Sequence, residues 1–310
     1  MIVAAIDTGG TKIAGAAVDG DGDILYHLSY PNTGRNGVFI LDTCEQIVRD
    51  LQKRFQISAI GIGTGGRIDP NGGTVVYATE VYKDYTGLSI GKIMAERCAL
   101  PAAVDNDCRA AVYGECWKGA ARGYDDIFGI FLGTGVGGGY ILDGCLVHGA
   151  GFGAGEAGHL ILHPGGKLCE CGQKGCAEQY ISGTALWQSY NSKAKCAETA
   201  IKNKAGGAEI TSGHEFFQLL RGLDPVAQSI MDEFTVDLAV CAVSLSNLLS
   251  PQVILIGGGL IDTADMWWER FISAYYESGN AHCRNTVILR AATGNNAALL
   301  GAARIAFERL

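Results

Sequence analysis

The chain has 310 residues, 48% of them apolar, with a formal net charge of -8 and a pI near 5.3. That length exceeds one ordinary core and suits two domains, and the acidic balance argues against nonspecific nucleic-acid binding, which needs a basic face to displace counterions from phosphates. No stretch reaches the roughly 18 apolar residues of a membrane span and no basic segment followed by an apolar run opens the chain, so a cytoplasmic protein acting on a small molecule, with neither nucleic acid nor membrane as partner, is expected.

Ile2 to Asp7 is a short apolar run ending in an acid. Thr8-Gly-Gly-Thr11-Lys12 follows as a tight turn, and Ile13 to Val18 forms a second run. Asp19 to Asp23 supplies hairpin-turn chemistry before a third strand, Ile24 to Ser29. Ile40, Cys44, Ile47, Val48, Leu51 and Phe55 fall on one helical stripe, with the strand Ile57 to Gly63 beyond; helix feeding strand is the α/β pattern. Val104-Asp-Asn-Asp107 ends another apolar run, and Ala110 to Cys116 reads as a helix. The opening plan then returns: strand Ile127 to Leu132, glycine turn Gly133 to Gly139, strand Tyr140 to Leu142, and Cys145 to His148. Its recurrence suggests two related halves, packed face to face around a cleft. Residues 184 to 222 are polar and helical, with boundaries the pattern does not fix. Asp224 as N-cap and Pro225 at the first helical position start a helix that Pro251 stops. Val253 to Ile256 delivers Gly257-Gly-Gly259, Val287 to Leu289 is a last strand, and an alanine-rich helix runs from Ala297.

The 45 glycines are about twice the usual share and gather at strand ends. Turns of this kind bare backbone N–H groups that can cradle phosphate oxygens. Taken alone, Gly9-Gly10 is equally an ordinary hairpin. In Asp7-x-Gly-Gly-Thr-Lys12, however, the strand-end acid can hold a hydrated magnesium while Thr11 and Lys12 face phosphates; with Gly133-Thr134-Gly135 and Gly257-Gly258-Gly259 this favours nucleotide binding. Neither a Walker loop nor a dinucleotide fingerprint is present, so phosphoryl transfer from ATP is the chemistry expected. It needs a carboxylate to take the proton of the acceptor hydroxyl. Asp107 is the candidate base, and its alternative role is to cap the helix that follows. Strand alternation places Asp105 and Asp107 on one side and Asn106 on the other, unless the turn has already begun.

Of the eleven cysteines, those outside one cluster (Cys44, Cys98, Cys108, Cys116, Cys145, Cys196, Cys241 and Cys283) are irregularly spaced and read as reduced thiols. The cluster is different. His159, Cys169, Cys171 and Cys176 lie within eighteen residues, a thiolate and imidazole set that fills the tetrahedron of a structural zinc. Gly172 and Gly175 let the backbone fold back between the ligands. Glu156 and Glu178 flank the cage, so fixing it would preorganise a polar pocket for a polyhydroxylated ligand. The alternative is three buried free cysteines near an unrelated histidine.

Asp7-Thr-Gly-Gly-Thr-Lys12, Asn106-Asp107, Gly133-Thr-Gly-Val-Gly-Gly138, Glu156-Ala-Gly-His159, Cys169-x-Cys-Gly-x-x-Gly-Cys176-x-Glu178, Gly257-Gly-Gly259 and Gly294-x-x-Ala297 together resemble the ROK family of sugar kinases and repressors. The resemblance implies a duplicated actin-like ATPase (ribonuclease H-like) α/β fold, with a small domain of 1–118 plus 297–310 and a large zinc-bearing domain of 119–296. It further implies ATP and magnesium between the domains, zinc on His159, Cys169, Cys171 and Cys176, Asp107 as base, and Asn106, Glu156, His159 and Glu178 on sugar hydroxyls. ATP would contact Asp7, Gly9, Gly10, Thr11, Lys12, Gly133, Thr134, Gly135, Gly257, Gly258 and Gly259. A homodimer or other homo-oligomer is expected.

This sequence departs from the family pattern at Gly65-Gly66-Arg67, Thr79-Glu80, Tyr85 and Arg109, all on the wall that would select the sugar. With carboxylates abundant and no Arg or Lys cluster among the pocket residues, a free neutral hexose suits the pocket better than a phosphorylated one. Glucose leads; N-acetylmannosamine, another N-acetylhexosamine or fructose is the alternative substrate. A sugar-sensing repressor is disfavoured by an acidic chain whose first strand begins at residue 2, and an inactive sensor by the presence of Lys12 and Asp107.

Overall fold

The computed structural model describes residues 1–34, 36–79, 83–196 and 209–310, without the side chains of 195 and 196. The expectation resting on Glu80 therefore lies outside the described residues. Two compact units emerge, one of residues 1–129, 138–155 and 291–310, the other of 130–137 and 156–290.

In the first unit, β1 (Ile2–Thr8), β2 (Lys12–Asp19) and β3 (Ile24–Pro31) form an antiparallel meander. Helix α1 (Gly37–Gln52) returns the chain to β4 (Ile57–Thr64), parallel to β1; after the short antiparallel pair β5 (Arg67–Asp69) and β6 (Thr74–Tyr77), α2 (Ile90–Cys98) returns it to β7 (Ala102–Asn106), parallel to β4. The sheet order is β3-β2-β1-β4-β7. Val3, Ala4, Ala5 and Ile6 are all buried, as expected of a strand covered on both faces. Ile40, Cys44, Ile47, Val48 and Leu51 of α1 cover one face against Ile6, Ile13, Ile60 and Ile62. Leu299, Leu300, Ala302, Ala303 and Ala306 of the helix Ala297–Phe307 cover the other, against Val3, Ala5, Ala14 and Ala16. The approach is close enough to require glycine: a Cβ on Gly61 would stand 1.8 Å from the Ala302 carbonyl oxygen, and one on Gly301 would stand 1.7 Å from that of Ala110. This packing fixes α3 (Asp107–Lys118), whose first residue is the candidate base.

The second sheet repeats the plan in the order β10-β9-β8-β11-β12, from β8 (Ile127–Leu132), β9 (Val136–Leu142), β10 (Cys145–Leu146), β11 (Val253–Gly257) and β12 (Val287–Arg290). A meander followed by two parallel strands, present twice, is the duplication the sequence suggested. The glycine segment differs from expectation. Only Gly133 to Gly135 turn, and β9 begins at Val136. A Cβ on Gly139 would lie 3.0 Å from the Arg109 Cα, so a glycine here makes room for α3 and does not mark a loop. The strand expected from Cys145 to His148 stops at Leu146.

Among the described residues of 184 to 222, the helices are Gly183–Cys196 and Gly213–Arg221. The helix Pro225–Leu249 starts as read, with Asp224 accepting the N–H groups of Val226 and Ala227. The ten cysteines with described side chains are all free thiols. No described helix is long and apolar enough to cross a membrane.

Candidate functional site

In the first unit the Gly9-Gly10 turn is held by Asn32, a residue the sequence reading missed. Its side chain donates to the Gly9 carbonyl at 2.9 Å, and its backbone N–H donates to the Thr11 carbonyl at 2.9 Å. Beneath the turn, Thr8 Oγ1 donates to Thr64 Oγ1 at 2.6 Å, and Thr64 Oγ1 lies 2.5 Å from the hydroxyl of buried Tyr85. Asp7 ends β1, while Thr11 and Lys12 open outward. Burial, and then the negative charge of Asp107, push the Asp7 carboxyl up to about 7 against the opposing pull of Lys12. Neighbouring carboxylates such as Asp7 and Asp107 are the hard oxygen donors a divalent cation favours.

That shift has a measurable consequence. Between about pH 4 and pH 7 native Asp7 retains a proton that the unfolded chain releases, so stability falls as pH rises through this window and levels off above it. Asp7→Asn is therefore expected to raise stability in EDTA at pH 7.5 by on the order of 2 kcal/mol, discounted for the exposure of the strand end. Thermal melts at pH 5 and pH 7.5 check this; an Asn variant that melts lower at pH 7.5 removes the effect.

At the end of β7 the turn has begun by Asn106, and alternation no longer applies. Asn106 is the N-cap of α3. Its Oδ1 accepts the N–H groups of Cys108 at 3.0 Å and Arg109 at 3.1 Å, while its Nδ2 donates to the Gly66 carbonyl at 3.1 Å. Asp107 is thus the first helical residue, half-buried, with Oδ1 accepting from Cys108 N at 2.8 Å. Asp105 is buried and bound to Arg109 and His148.

In the second unit, the Gly133 N–H donates to the Gly135 carbonyl at 2.9 Å, and the Gly183 N–H donates to the Gly133 carbonyl at 2.8 Å. Glu178 lodges against this turn: its Oε2 accepts from Val136 N at 2.9 Å and would be 2.4 Å from a Cβ on Gly135. Glu156 precedes the single turn Ala157–His159. Within that turn a Cβ on Gly158 would meet the Val136 carbonyl oxygen at 2.1 Å, which accounts for the glycine of Glu-Ala-Gly-His. Glu156, His159 and Glu178 are thereby tied to the same β8–β9 turn.

Gly258 has φ 83° and packs against Leu132; a Cβ there would stand 2.4 Å from the Leu132 carbonyl oxygen, so no larger residue fits the end of β11. Beside it a cavity of about 270 Å³ is lined by Gly213, His214, Phe217, Gln218, Arg221, Gly259, Leu260 and Thr263. An apolar floor with a polar rim suits a nucleobase. The start of its helical wall was left unplaced although Ser212-x-x-Glu215 is a capping box, with Ser212 accepting the Glu215 N–H.

The four residues of the cage come together. A ring nitrogen of His159 and the sulfurs of Cys169, Cys171 and Cys176 all lie within 4.8 Å of one another. Cys169 Sγ is 3.7 Å from His159 Nδ1, and Cys171 Sγ is 3.6 Å from Cys176 Sγ. Zinc–sulfur bonds of about 2.3 Å give tetrahedral edges of about 3.8 Å, so the set fits such an ion. Gly172 and Gly175 both have φ 89°, the left-handed conformation the tight fold-back needs. Burial, followed by the neighbouring thiols, pushes Cys176 up to about 12, a penalty that a cation would offset.

A meander-and-crossover sheet present twice, with glycine turns at its strand ends, defines the chain as an α/β fold of the actin-like ATPase type. The sequence profile of the ROK family matches residues 3–309, and the chain belongs to that family. It is 34% identical to a glucokinase of Streptomyces coelicolor, over 98% of this chain and 96% of that one. The ROK glucokinase of Streptomyces griseus, solved with glucose and AMPPNP, is similar at TM-score 0.85 and 31% identity, over 99% of this chain and 100% of that one. An N-acetyl-D-glucosamine kinase of Escherichia fergusonii is 30% identical, over 82% of each chain.

Proposed function

We propose that this protein transfers the terminal phosphoryl group of ATP to the 6-hydroxyl of a free hexose, glucose before others. The observation that carries the reading is the end-to-end likeness to a glucokinase solved with glucose and an ATP analogue. Asp107 accepts the proton of the 6-hydroxyl as its oxygen attacks the γ-phosphorus and the bond to the β–γ bridging oxygen breaks, releasing ADP. Asn106, Glu156, His159 and Glu178 bind the sugar hydroxyls. Lys12, Thr11, the N–H groups of Gly9 and Gly10, and the turn Gly133 to Gly135 bind the phosphates, and the cavity beside Gly257 to Gly259 holds the base. Magnesium, held through Asp7, would neutralise charge on the phosphates. Zinc on His159, Cys169, Cys171 and Cys176 would be structural, with Nδ1 committed to the ion and Nε2 left for sugar. The protein acts in the cytoplasm, as a homodimer or other homo-oligomer.

A second reading, an N-acetylhexosamine kinase, is favoured by the likeness to the N-acetyl-D-glucosamine kinase. Coupled ADP release with glucose, mannose, fructose, N-acetylglucosamine and N-acetylmannosamine separates them. Glucose is expected to give the highest kcat/KM. Preference for an acetylated sugar by more than about tenfold, some 1.4 kcal/mol in transition-state binding, overturns the choice. Absence of ADP release with every sugar replaces a kinase by a sensor.

A further inference from the structure

Asn106 and Asp107 are enclosed by a buried ion pair. Asp105 precedes them and Arg109 follows, each side chain 2% exposed, with Arg109 Nε donating to Asp105 Oδ1 at 2.7 Å. The same Oδ1 accepts the Asn106 N–H at 2.7 Å, and Asn106 Oδ1 accepts the Arg109 N–H at 3.1 Å. These bonds close a ring through Asp105, Asn106 and Arg109 around the chain segment that carries Asp107. Two further contacts pin the ring from outside. His148 Nε2 lies 2.6 Å from Asp105 Oδ2, and Arg109 Nη1 donates to the Phe152 carbonyl at 3.0 Å. Phe152 has φ 56°, a left-handed conformation that a bulky L-residue rarely adopts. The acceptor is therefore presented by a strained turn that Arg109 holds in place. Burial alone would raise the Asp105 carboxyl, yet the bond to His148 and the charge of Arg109 hold it below the usual range, so the pair stays ionic.

A buried ion pair is a poor source of net stability, since apolar residues of similar volume often serve as well. What a guanidinium fork does supply is direction, fixing its acceptors at set angles. We propose that Asp105, Arg109 and His148 are positioning residues that aim the Asp107 carboxylate at the attacking hydroxyl. The proposal rests on Asp107 being the base.

Arg109→Lys keeps the charge but cannot bond Asp105 and the Phe152 carbonyl together. His148→Ala removes the outer pin from a side chain 23% exposed and leaves Asp105 paired with Arg109. Each is measured for kcat, KM of glucose, KM of ATP and folded fraction by near-ultraviolet circular dichroism. The brace predicts a folded protein, an ATP KM within about twofold of the parent, and kcat down about tenfold, the scale of a small misalignment at the reacting atoms. His148→Gln, whose amide can donate to Asp105, is expected to restore most of the rate lost in His148→Ala. Folded variants with kcat within about twofold of the parent overturn the proposal. Losses that merely track the folded fraction, or a Gln variant as slow as the Ala one, also overturn it; if Arg109→Lys does not fold, the two His148 variants decide. Asp107→Asn is run alongside. Near-parental turnover there sinks the base assignment itself, whereas an inactive Asp107→Asn beside full-speed Arg109 and His148 variants sinks only the brace.

Discussion

Asp107→Asn is expected to lower turnover by about 10²-fold or more, the scale of losing a positioned acid–base group, while sugar and ATP still bind. The structure makes this a clean substitution. Asn106, not Asp107, caps α3, so the helix keeps its N-terminal hydrogen bonds when Asp107 is changed. The hydrogen bond that Asp107 accepts from Cys108 N can be accepted by an asparagine oxygen as well. Loss of the neighbouring negative charge is also expected to bring the Asp7 carboxyl down from about 7, which infrared or NMR titration can follow. Calorimetry showing glucose affinity unchanged, together with a coupled assay showing the rate collapse, constitutes the expected result. Near-normal turnover would return Asp107 to a purely structural place at the start of the helix.

The second large effect concerns the cysteine cluster. Elemental analysis is expected to find about one zinc per chain, and Cys171→Ser is expected to weaken glucose binding about 10- to 100-fold, the usual range when a metal's supporting shell is broken. The asymmetry is the informative part. His159 takes its orientation from Nδ1 at the cluster, and Glu178 follows Cys176 by two residues, so both candidate sugar ligands depend on the knuckle. The cavity at Gly259 is built instead on the helix Gly213–Arg221 and on Leu260 and Thr263. ATP affinity is expected to change by less than about threefold, less than 1 kcal/mol. A protein without zinc, or a Cys171→Ser variant with parental glucose affinity, contradicts the assignment.

What could be read from the sequence follows the range over which each signal acts. The cage was legible because its ligands and its two fold-back glycines lie in one short segment. The helix at Pro225 was legible because an N-cap Asp and a Pro at the next position are local chemistry. Gly139 was misread, since a glycine needed for the approach of α3 looks the same in sequence as one needed for a turn. Asn32, His148 and the buried contact of Tyr85 with Thr64 were missed because the partners, Gly9, Asp105 and Thr64, are distant along the chain and nothing in spacing announces them. The capping box at Ser212 was within reach and was passed over, which left the start of the helical wall of the Gly259 cavity unplaced.

The helix Ala297–Phe307 also sets an order on the protein's synthesis. Residues 1–129 leave the ribosome with the alanine-lined side of their first sheet bare, because the residues that cover it, Leu299 to Ala306, are made long afterwards. At about 5–20 residues per second, the 181 residues from 129 to 310 take roughly 10–35 s to appear. During that interval the nascent chain carries an uncovered apolar surface with no partner of its own, which is the kind of surface that chaperones bind. Truncation before Ala297 would make that interval permanent, and the shortened chain would be expected in the insoluble fraction.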